Sequence, residues 1–137
     1  MTYSNFYAKL YTAGKKIAAA FAAVWCFIPS RFYFLAAGLL QLVAWSQAGF
    51  IYRHLTGDLL VLHYNVDSGI DLVGNPAQIF IYPLFGLGIF ILNLAIAAAL
   101  NHHQDGKVFI HLLLAGAALF GLFLDLALLS IYLINFH

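Results

Sequence analysis

The stretch IFIYPLFGLGIFILNLAIAAAL, residues 79–100, decides how this chain folds. It contains no charged residue, and its one carboxamide is Asn93. A helix of this length covers about 33 Å at about 1.5 Å per residue, which matches the hydrocarbon core of a bilayer. A core helix of a water-soluble domain would carry a polar stripe, and this stretch carries none on any face. The stretch therefore predicts a membrane-spanning helix.

The composition of the whole chain leads to the same conclusion. Charged residues make up 8% of the 137 residues and apolar residues 64%, whereas soluble domains contain about 25% charged residues. Such a chain cannot cover itself with polar surface in water, so we expect lipid to be much of its solvent. The formal net charge of +1 excludes the broad basic surface typical of nucleic-acid-binding proteins. Because Cys26 is the single cysteine, an internal disulfide and a cysteine-based metal site are also excluded.

Long apolar segments separated by polar residues predict an all-α membrane protein with three transmembrane helices. We predict one membrane domain over residues 1–137. Its segments are an N-terminal helix at 1–28, spans at 31–53, 77–100 and 108–135, an outer loop at 54–76 and a cytoplasmic turn at 101–107. Pro29 and Ser30 are expected to form the elbow before the first span, since proline interrupts a helix and serine can cap the next one.

The outer loop contains two short β-prone runs. These runs, residues 59–64 and 70–73, are separated by residues typical of turns. We therefore expect a small two-stranded or irregular cap on the extracytoplasmic face of the bundle.

The N-terminal segment has two interpretations. Its apolar run, residues 17–28, is too short to cross a bilayer by itself. In one interpretation the segment is an amphipathic helix that lies in the cytoplasmic interface, with Lys9, Lys15 and Lys16 reaching the lipid headgroups. In the other it is a cytoplasmic extension docked against the bundle or against a partner. We favour the interfacial helix.

The basic residues determine the predicted orientation. Of the six lysines and arginines, only Arg53 falls on the side of the outer loop. The others are Lys9, Lys15, Lys16, Arg31 and Lys107. The positive-inside rule then places the N-terminus in the cytoplasm and the C-terminus outside it.

Polar side chains inside the predicted spans are candidates for contacts between helices or with a partner protein. They are Gln41, Gln47, Asn93 and Asp125. We expect Asn93 to bond a neighbouring helix. An ionised carboxylate at Asp125 would cost about 2.5–3.5 kcal/mol on insertion scales, so we expect this side chain to face the bundle and to be hydrogen-bonded or protonated. It could serve in a proton or cation relay, in an interhelical hydrogen bond or in a partner contact. Relays normally use several ionisable groups in series, which favours the two structural roles.

Neither a cofactor nor catalysis is predicted. His111, near the start of the third span, could ligate a metal, a haem or another pigment, but it lies only about a turn from the interface, where water satisfies a histidine. The turn that holds His102, His103 and Asp105 is expected to be solvated, since adjacent histidines point in different directions. The sequence also contains no Ser-His-acid set, HExxH motif or phosphate-binding glycine loop, so we predict that the protein is not an enzyme.

The outer loop resembles a known family. The residues His63-Tyr64-Asn65, followed by Gly69 and Asp71 and then by a proline in the next span, resemble the motif of a bacterial domain of unknown function found in SdpI-like immunity and signalling membrane proteins. The resemblance covers about residues 50–93. The chain departs from the motif at residues 61–62, where a proline usually precedes the histidine, and it is much shorter than SdpI itself. The resemblance implies a bacterial plasma (inner) membrane protein and assigns no reaction or ligand.

The predicted function is that of a non-enzymatic accessory or structural subunit, which binds other integral membrane proteins or further copies of itself. Pairs of small residues in the spans suit the close approach of helices. The pairs are Ala44 and Ala48, Gly86 and Gly88, Ala95 and Ala99, and Ala117 and Gly121. The alternatives are an SdpI-like immunity or signalling protein and a proton-conducting or cation-conducting protein that uses Asp125.

Overall fold

The computed structural model describes residues 3–65, 67 and 69–136, apart from the side chains of residues 3–5, 64 and 65. Most of these residues are helical. The elements in order are helix α1 (Tyr3–Cys26), helix α2 (Ile28–His54), strands β1 (Leu60–Asn65) and β2 (Gly69–Gly74), a 3₁₀ helix (Pro76–Phe80), and helices α3 (Ile81–Leu100) and α4 (Gly106–Phe136).

In this part of the chain, three helical segments are long and apolar enough to cross a membrane, as predicted. They are Ile28–His54, Pro76–Leu100 and Gly106–Phe136. Only 17% to 22% of the residues in their most apolar windows are buried within the chain. Most of each helix therefore presents apolar side chains to its surroundings, which is the surface that a lipid bilayer solvates.

Helix α4 is central to the bundle. It packs against both α2 and α3, which contact each other less extensively. Leu40 on α2 lies against Gly121 on α4, and the Phe50 and Tyr132 rings meet edge to face with centroids 5.8 Å apart. In these contacts a higher residue number on α2 is paired with a higher residue number on α4, so the two helices run parallel. Helix α3 runs antiparallel to both.

The corner between α1 and α2 lies at Phe27, two residues earlier than predicted. Helix α1 ends at Cys26, and α2 already contains Pro29 in its first turn. A proline is tolerated there because its missing N–H has no helical acceptor and its φ suits a helix. The hydroxyl of Ser30 lies within hydrogen-bond distance of the carbonyl oxygens of Val24 and Phe27. The Ser30 hydroxyl therefore donates its one proton toward carbonyls at the end of α1. The N-cap residue of α2 is Phe27, with no side-chain hydrogen bond, so the prediction that Ser30 caps the start of α2 is wrong.

Strands β1 and β2 pair antiparallel, which agrees with the expected pairing of the two β-prone runs. Gly69 opens β2 with a φ of +78°, a conformation that glycine adopts without steric cost. The hairpin is attached to the bundle through Asn135 near the end of α4. The side chain of Asn135 accepts a hydrogen bond from the Val61 N–H at 3.0 Å and donates one to the Val61 carbonyl at 2.9 Å. We call this end of the bundle the hairpin end, and the end with the α1–α2 corner the α1 end.

Among the described residues, the buried apolar side chains fall into two clusters. The cluster at the hairpin end consists of Ala44, Ala48, Ile51, Leu60, Ile79, Leu128 and Ile131. The cluster at the α1 end consists of Val24, Ala97, Ala98, Ile110 and Leu114. Because Leu60 of β1 and Val24 of α1 are fully buried in these clusters, the hairpin and the end of α1 are integral parts of the packed structure.

The α3–α4 turn generates a prediction about stability. A Cβ on Gly106 would lie 2.8 Å from the Asn101 carbonyl oxygen and 3.0 Å from the Leu100 carbonyl oxygen, so the backbone would have to shift. We expect Gly106→Ala to lower the free energy of unfolding by about 1–3 kcal/mol. Thermal unfolding in a mild detergent, followed by far-ultraviolet circular dichroism, measures this change.

The matched control is Gly116→Ala on the same helix, since a Cβ there meets nothing within 4 Å. This variant should leave stability unchanged or raise it by up to about 1 kcal/mol, because alanine favours a helix over glycine. Equal unfolding midpoints for the two variants would contradict the close packing of the turn.

Candidate functional site

The polar side chains of the spans were the candidate site residues, and Gln41 makes the direct bond between helices. Its Nε2 donates to the Pro83 carbonyl oxygen on α3 at 2.5 Å. A Cβ on Gly86, one turn further along α3, would lie 3.1 Å from the Gln41 Oε1 and 3.0 Å from the Leu124 Cδ1. Glycine at position 86 therefore lets α2, α3 and α4 converge around the carboxamide.

Asp125 lies in the interior of the bundle, as its sequence position suggested. Only 6% of its surface is exposed. Both carboxyl oxygens are buried, and neither has a hydrogen-bond partner within the described part of the chain. Leu128, one turn further along α4, belongs to the cluster at the hairpin end together with Ala44 and Ala48 of α2. The carboxyl group therefore lies inside a largely apolar part of the bundle.

Gln47 on α2 has a similar feature, since its Oε1 is also buried and has no hydrogen-bond partner in the residues described. On α2, Gln47 lies between Leu40 and Phe50, which contact Gly121 and Tyr132 of α4. Asp125 lies between those two residues on α4. The buried side-chain atoms without partners in the described residues are thus all oxygens in one section of the bundle. A carboxylate can take up a proton or a cation, and a carboxamide oxygen can accept a hydrogen bond or coordinate a cation. Because the Asp125 oxygens are enclosed by this chain, a neighbouring subunit could reach them only by separating the helices.

Asn93 does not make the predicted bond to a neighbouring helix. Its Nδ2 donates to the Ile89 carbonyl oxygen of the same helix at 3.0 Å. A bond to the carbonyl four residues earlier is available to any polar side chain of suitable length on a helix. In the described residues the bond of Asn93 thus lies within α3, which corrects the predicted bond to a neighbouring helix.

His111 is held by aromatic neighbours at the α1 end. Its Nδ1 lies 2.8 Å from the Tyr33 hydroxyl of α2. The imidazole also meets the Phe27 ring edge to face, with centroids 5.0 Å apart. One ring nitrogen is therefore already engaged, and no group of three His, Cys, Asp or Glu side chains suited to a metal occurs in the described residues. Tyr33 was not predicted from the sequence as a partner of His111. Its position at the start of a span was the one sequence feature that could have indicated this contact.

The residues of the outer-loop motif lie on the hairpin. The His63 Nδ1 and the Asp71 Oδ1 are 2.6 Å apart across the strands. Gly69 provides the positive φ of the turn, and the side chains of Tyr64 and Asn65 fall outside the described ones. Both His63 and Asp71 are exposed, so their contact encloses no site and adds little to the stability of the hairpin.

No protein-family model, curated protein or solved structure matches this chain. The resemblance of the outer loop to the SdpI-like domain therefore stays a prediction.

The environment of Asp125 generates a second prediction about stability. Replacing a buried, unpartnered carboxyl group with an apolar side chain of similar size removes a desolvation cost and creates no new unpaired group. We expect Asp125→Leu to raise the free energy of unfolding by about 1–3 kcal/mol. The exposed Asp58 provides the control, since Asp58→Leu should change stability little. A loss of stability in Asp125→Leu, measured by thermal unfolding in detergent, would mean that the carboxyl group has a stabilising partner.

Proposed function

We propose that this chain is a non-enzymatic integral membrane subunit that associates through its spans with other integral membrane proteins or with copies of itself. The observation that carries the proposal is an exposed face of small residues on α3. Gly88, Ala95 and Ala99 are all exposed. Their spacing of seven and four residues places them on one side of the helix.

The small residues of the spans divide into an inward and an outward set. Ala44, Ala48, Gly86 and Ala117 are buried within the bundle. Gly88, by contrast, faces open space, since a Cβ there meets nothing within 4 Å. In lipid the close approach of helices depends on van der Waals packing, which small residues allow. The outward set therefore offers α3 as the helix against which a partner helix would pack.

The polar groups with described partners support a structural role. Gln41 joins α2 to α3, Tyr33 contacts His111 on α4, and Asn135 attaches the hairpin. Each of these groups connects two elements of the fold. A protein whose polar contacts maintain its own packing suits the role of a subunit better than that of a catalyst.

We further propose the placement of the chain in a bacterial inner membrane. The N-terminus would lie in the cytoplasm, α1 in the cytoplasmic interface and the hairpin on the extracytoplasmic side. The asymmetric distribution of lysine and arginine supports this orientation. Residues 6–19 of α1 are exposed throughout, which leaves this part of the helix free to lie on a membrane surface. An immunity or signalling role, as implied by the resemblance, remains the alternative, and the contact between the motif residues His63 and Asp71 is compatible with it.

Mass measurement of the full chain in a mild detergent tests the subunit proposal. Gly88→Leu adds a large side chain to the exposed face, so we expect it to convert a complex or oligomer into the monomer. We expect at least a tenfold weaker association, because overpacking a close helix interface costs about 1–3 kcal/mol.

Gly116→Leu is the matched control, because Gly116 on α4 is equally open. It should leave the association intact. A stable monomer of the unmodified chain with no other protein bound, or equal effects of the two substitutions, would contradict association through α3.

The buried carboxyl group supports a second candidate function, conduction of protons or small cations. Asp125 carries two buried oxygens with no partner among the described residues, and such a group can take up and release a proton. In proteoliposomes with an imposed pH difference, we expect Asp125→Asn to reduce proton flux at least tenfold. The exposed Asp58→Asn should conduct like the unmodified chain. Flux that is unchanged by Asp125→Asn would exclude this function.

A further inference from the structure

A groove lies at the α1 end, between the α1–α2 corner and the first turn of α4. It has a volume of about 410 Å³, which falls within the range of ordinary small-molecule sites. Its floor is apolar and includes Ala23, Phe27 and the fully buried Ile110. Asn101 and Lys107 provide the polar part of its lining. The groove thus combines a surface suited to hydrocarbon with hydrogen-bond donors and a positive charge.

The charges of the chain are distributed asymmetrically between its two ends, and Lys107 is the charged residue of the groove lining. Five of the six lysines and arginines lie at the α1 end, whereas Asp105 is the acidic residue of this end. The basic residues are Lys9, Lys15 and Lys16 on α1, Arg31 on α2 and Lys107 on α4. The hairpin end has the reverse balance, with one basic residue, Arg53, and three acidic residues, Asp58, Asp67 and Asp71. A negatively charged ligand is therefore favoured at the α1 end and disfavoured at the other.

The basic side chains of the α1 end are available to a ligand. In the described part of the chain none of them forms an ion pair. Arg31 lies over the Trp25 ring at 5.7 Å and its Nε donates to the Trp25 carbonyl oxygen at 3.1 Å, so its guanidinium is ordered beside the corner. Lys107 is exposed in the first turn of α4.

The position of the groove identifies the kind of ligand. It lies where the apolar spans begin, next to the polar α3–α4 turn, which corresponds to the depth of lipid headgroups and the first acyl carbons. We propose that the groove binds an anionic phospholipid, with its phosphate on Lys107 and Asn101 and an acyl chain along Ala23 and Phe27. This inference does not rest on association through α3, since none of the α3 residues Gly88, Ala95 and Ala99 lines the groove.

Cys26 makes the proposal directly measurable. It is exposed, it lines the groove, and it is the single cysteine of the chain. The experiment follows the rate at which a neutral maleimide alkylates Cys26 in the full chain, solubilised in a non-ionic detergent. Dioctanoylphosphatidylglycerol is the anionic probe, and dioctanoylphosphatidylcholine is the zwitterionic comparison.

We expect saturating phosphatidylglycerol to slow alkylation at least tenfold and phosphatidylcholine to slow it less than twofold. Lys107→Gln should raise the concentration of phosphatidylglycerol needed for half-protection about fivefold, the effect of one basic residue near a membrane surface. Lys107→Arg should restore the protection. Arg53→Gln removes a charge at the hairpin end, so it should change nothing.

A second variant keeps every charge and alters only the floor of the groove. Ala23→Leu should fill the space of the acyl chain and weaken phosphatidylglycerol binding, while circular dichroism shows unchanged helix content. Equal protection by the two lipids would overturn the proposal, and so would a Lys107→Gln variant with unaltered protection. Protection by inorganic phosphate at the same concentration as phosphatidylglycerol would assign the groove to free phosphate, and protection that requires a co-purified protein would assign it to a protein partner.

Discussion

The need to close backbone hydrogen bonds away from water controls this structure. A peptide group left unpaired in hydrocarbon costs several kcal/mol, so a segment that crosses a bilayer must satisfy its own N–H and C=O groups. The spanning segments do this as helices, while the two strands of the described residues lie in the polar stretch between α2 and α3. Even the irregular points follow the rule. Ser30 satisfies carbonyls at the α1–α2 corner, and Asn75 accepts a hydrogen bond from the Ala77 N–H at 2.8 Å where the second segment begins.

The same rule explains how much of the fold could be predicted. The existence of the spans follows from the number of consecutive apolar residues, a local property that needs no knowledge of neighbours. The location of the α1–α2 corner could not be predicted in this way, because proline is compatible both with the end of one helix and with the first turn of the next. The serine that follows it could serve either helix, and only the observed backbone decides which one. Local patterns therefore predicted the elements better than their junctions.

Partners of polar side chains depend on the rotation of each helix, which the composition of a single span does not encode. Tyr33 and His111 are 78 residues apart in the sequence, and Asn135 and Val61 are 74 apart. Asn93 has a carbonyl of its own helix within reach, and this partner requires no second helix. Gly86 and Gly88 make the same point, since one faces the bundle and the other faces outward although both occur in one apolar run. The candidate residues could be named from sequence, but their contacts required the packed structure.

At Asp125 the side chain that would pack best differs from the side chain that the proposed function requires. Gln41, Asn93 and His111 each have a described partner, whereas both oxygens of this carboxyl, like the Oε1 of Gln47, are buried without one among the described residues. Burying such a group without a partner has a desolvation cost that lowers the free energy of unfolding. Packing alone therefore does not explain a carboxyl group at this position of α4. A leucine at this position would suit the neighbouring apolar cluster better, and natural proteins accept such a cost mainly where a residue takes part in function. The proposals therefore concern separate parts of one small chain. The outer surfaces of α3 and of the α1 end carry the proposed contacts with other molecules, while Asp125 carries the proposed uptake of a proton or cation.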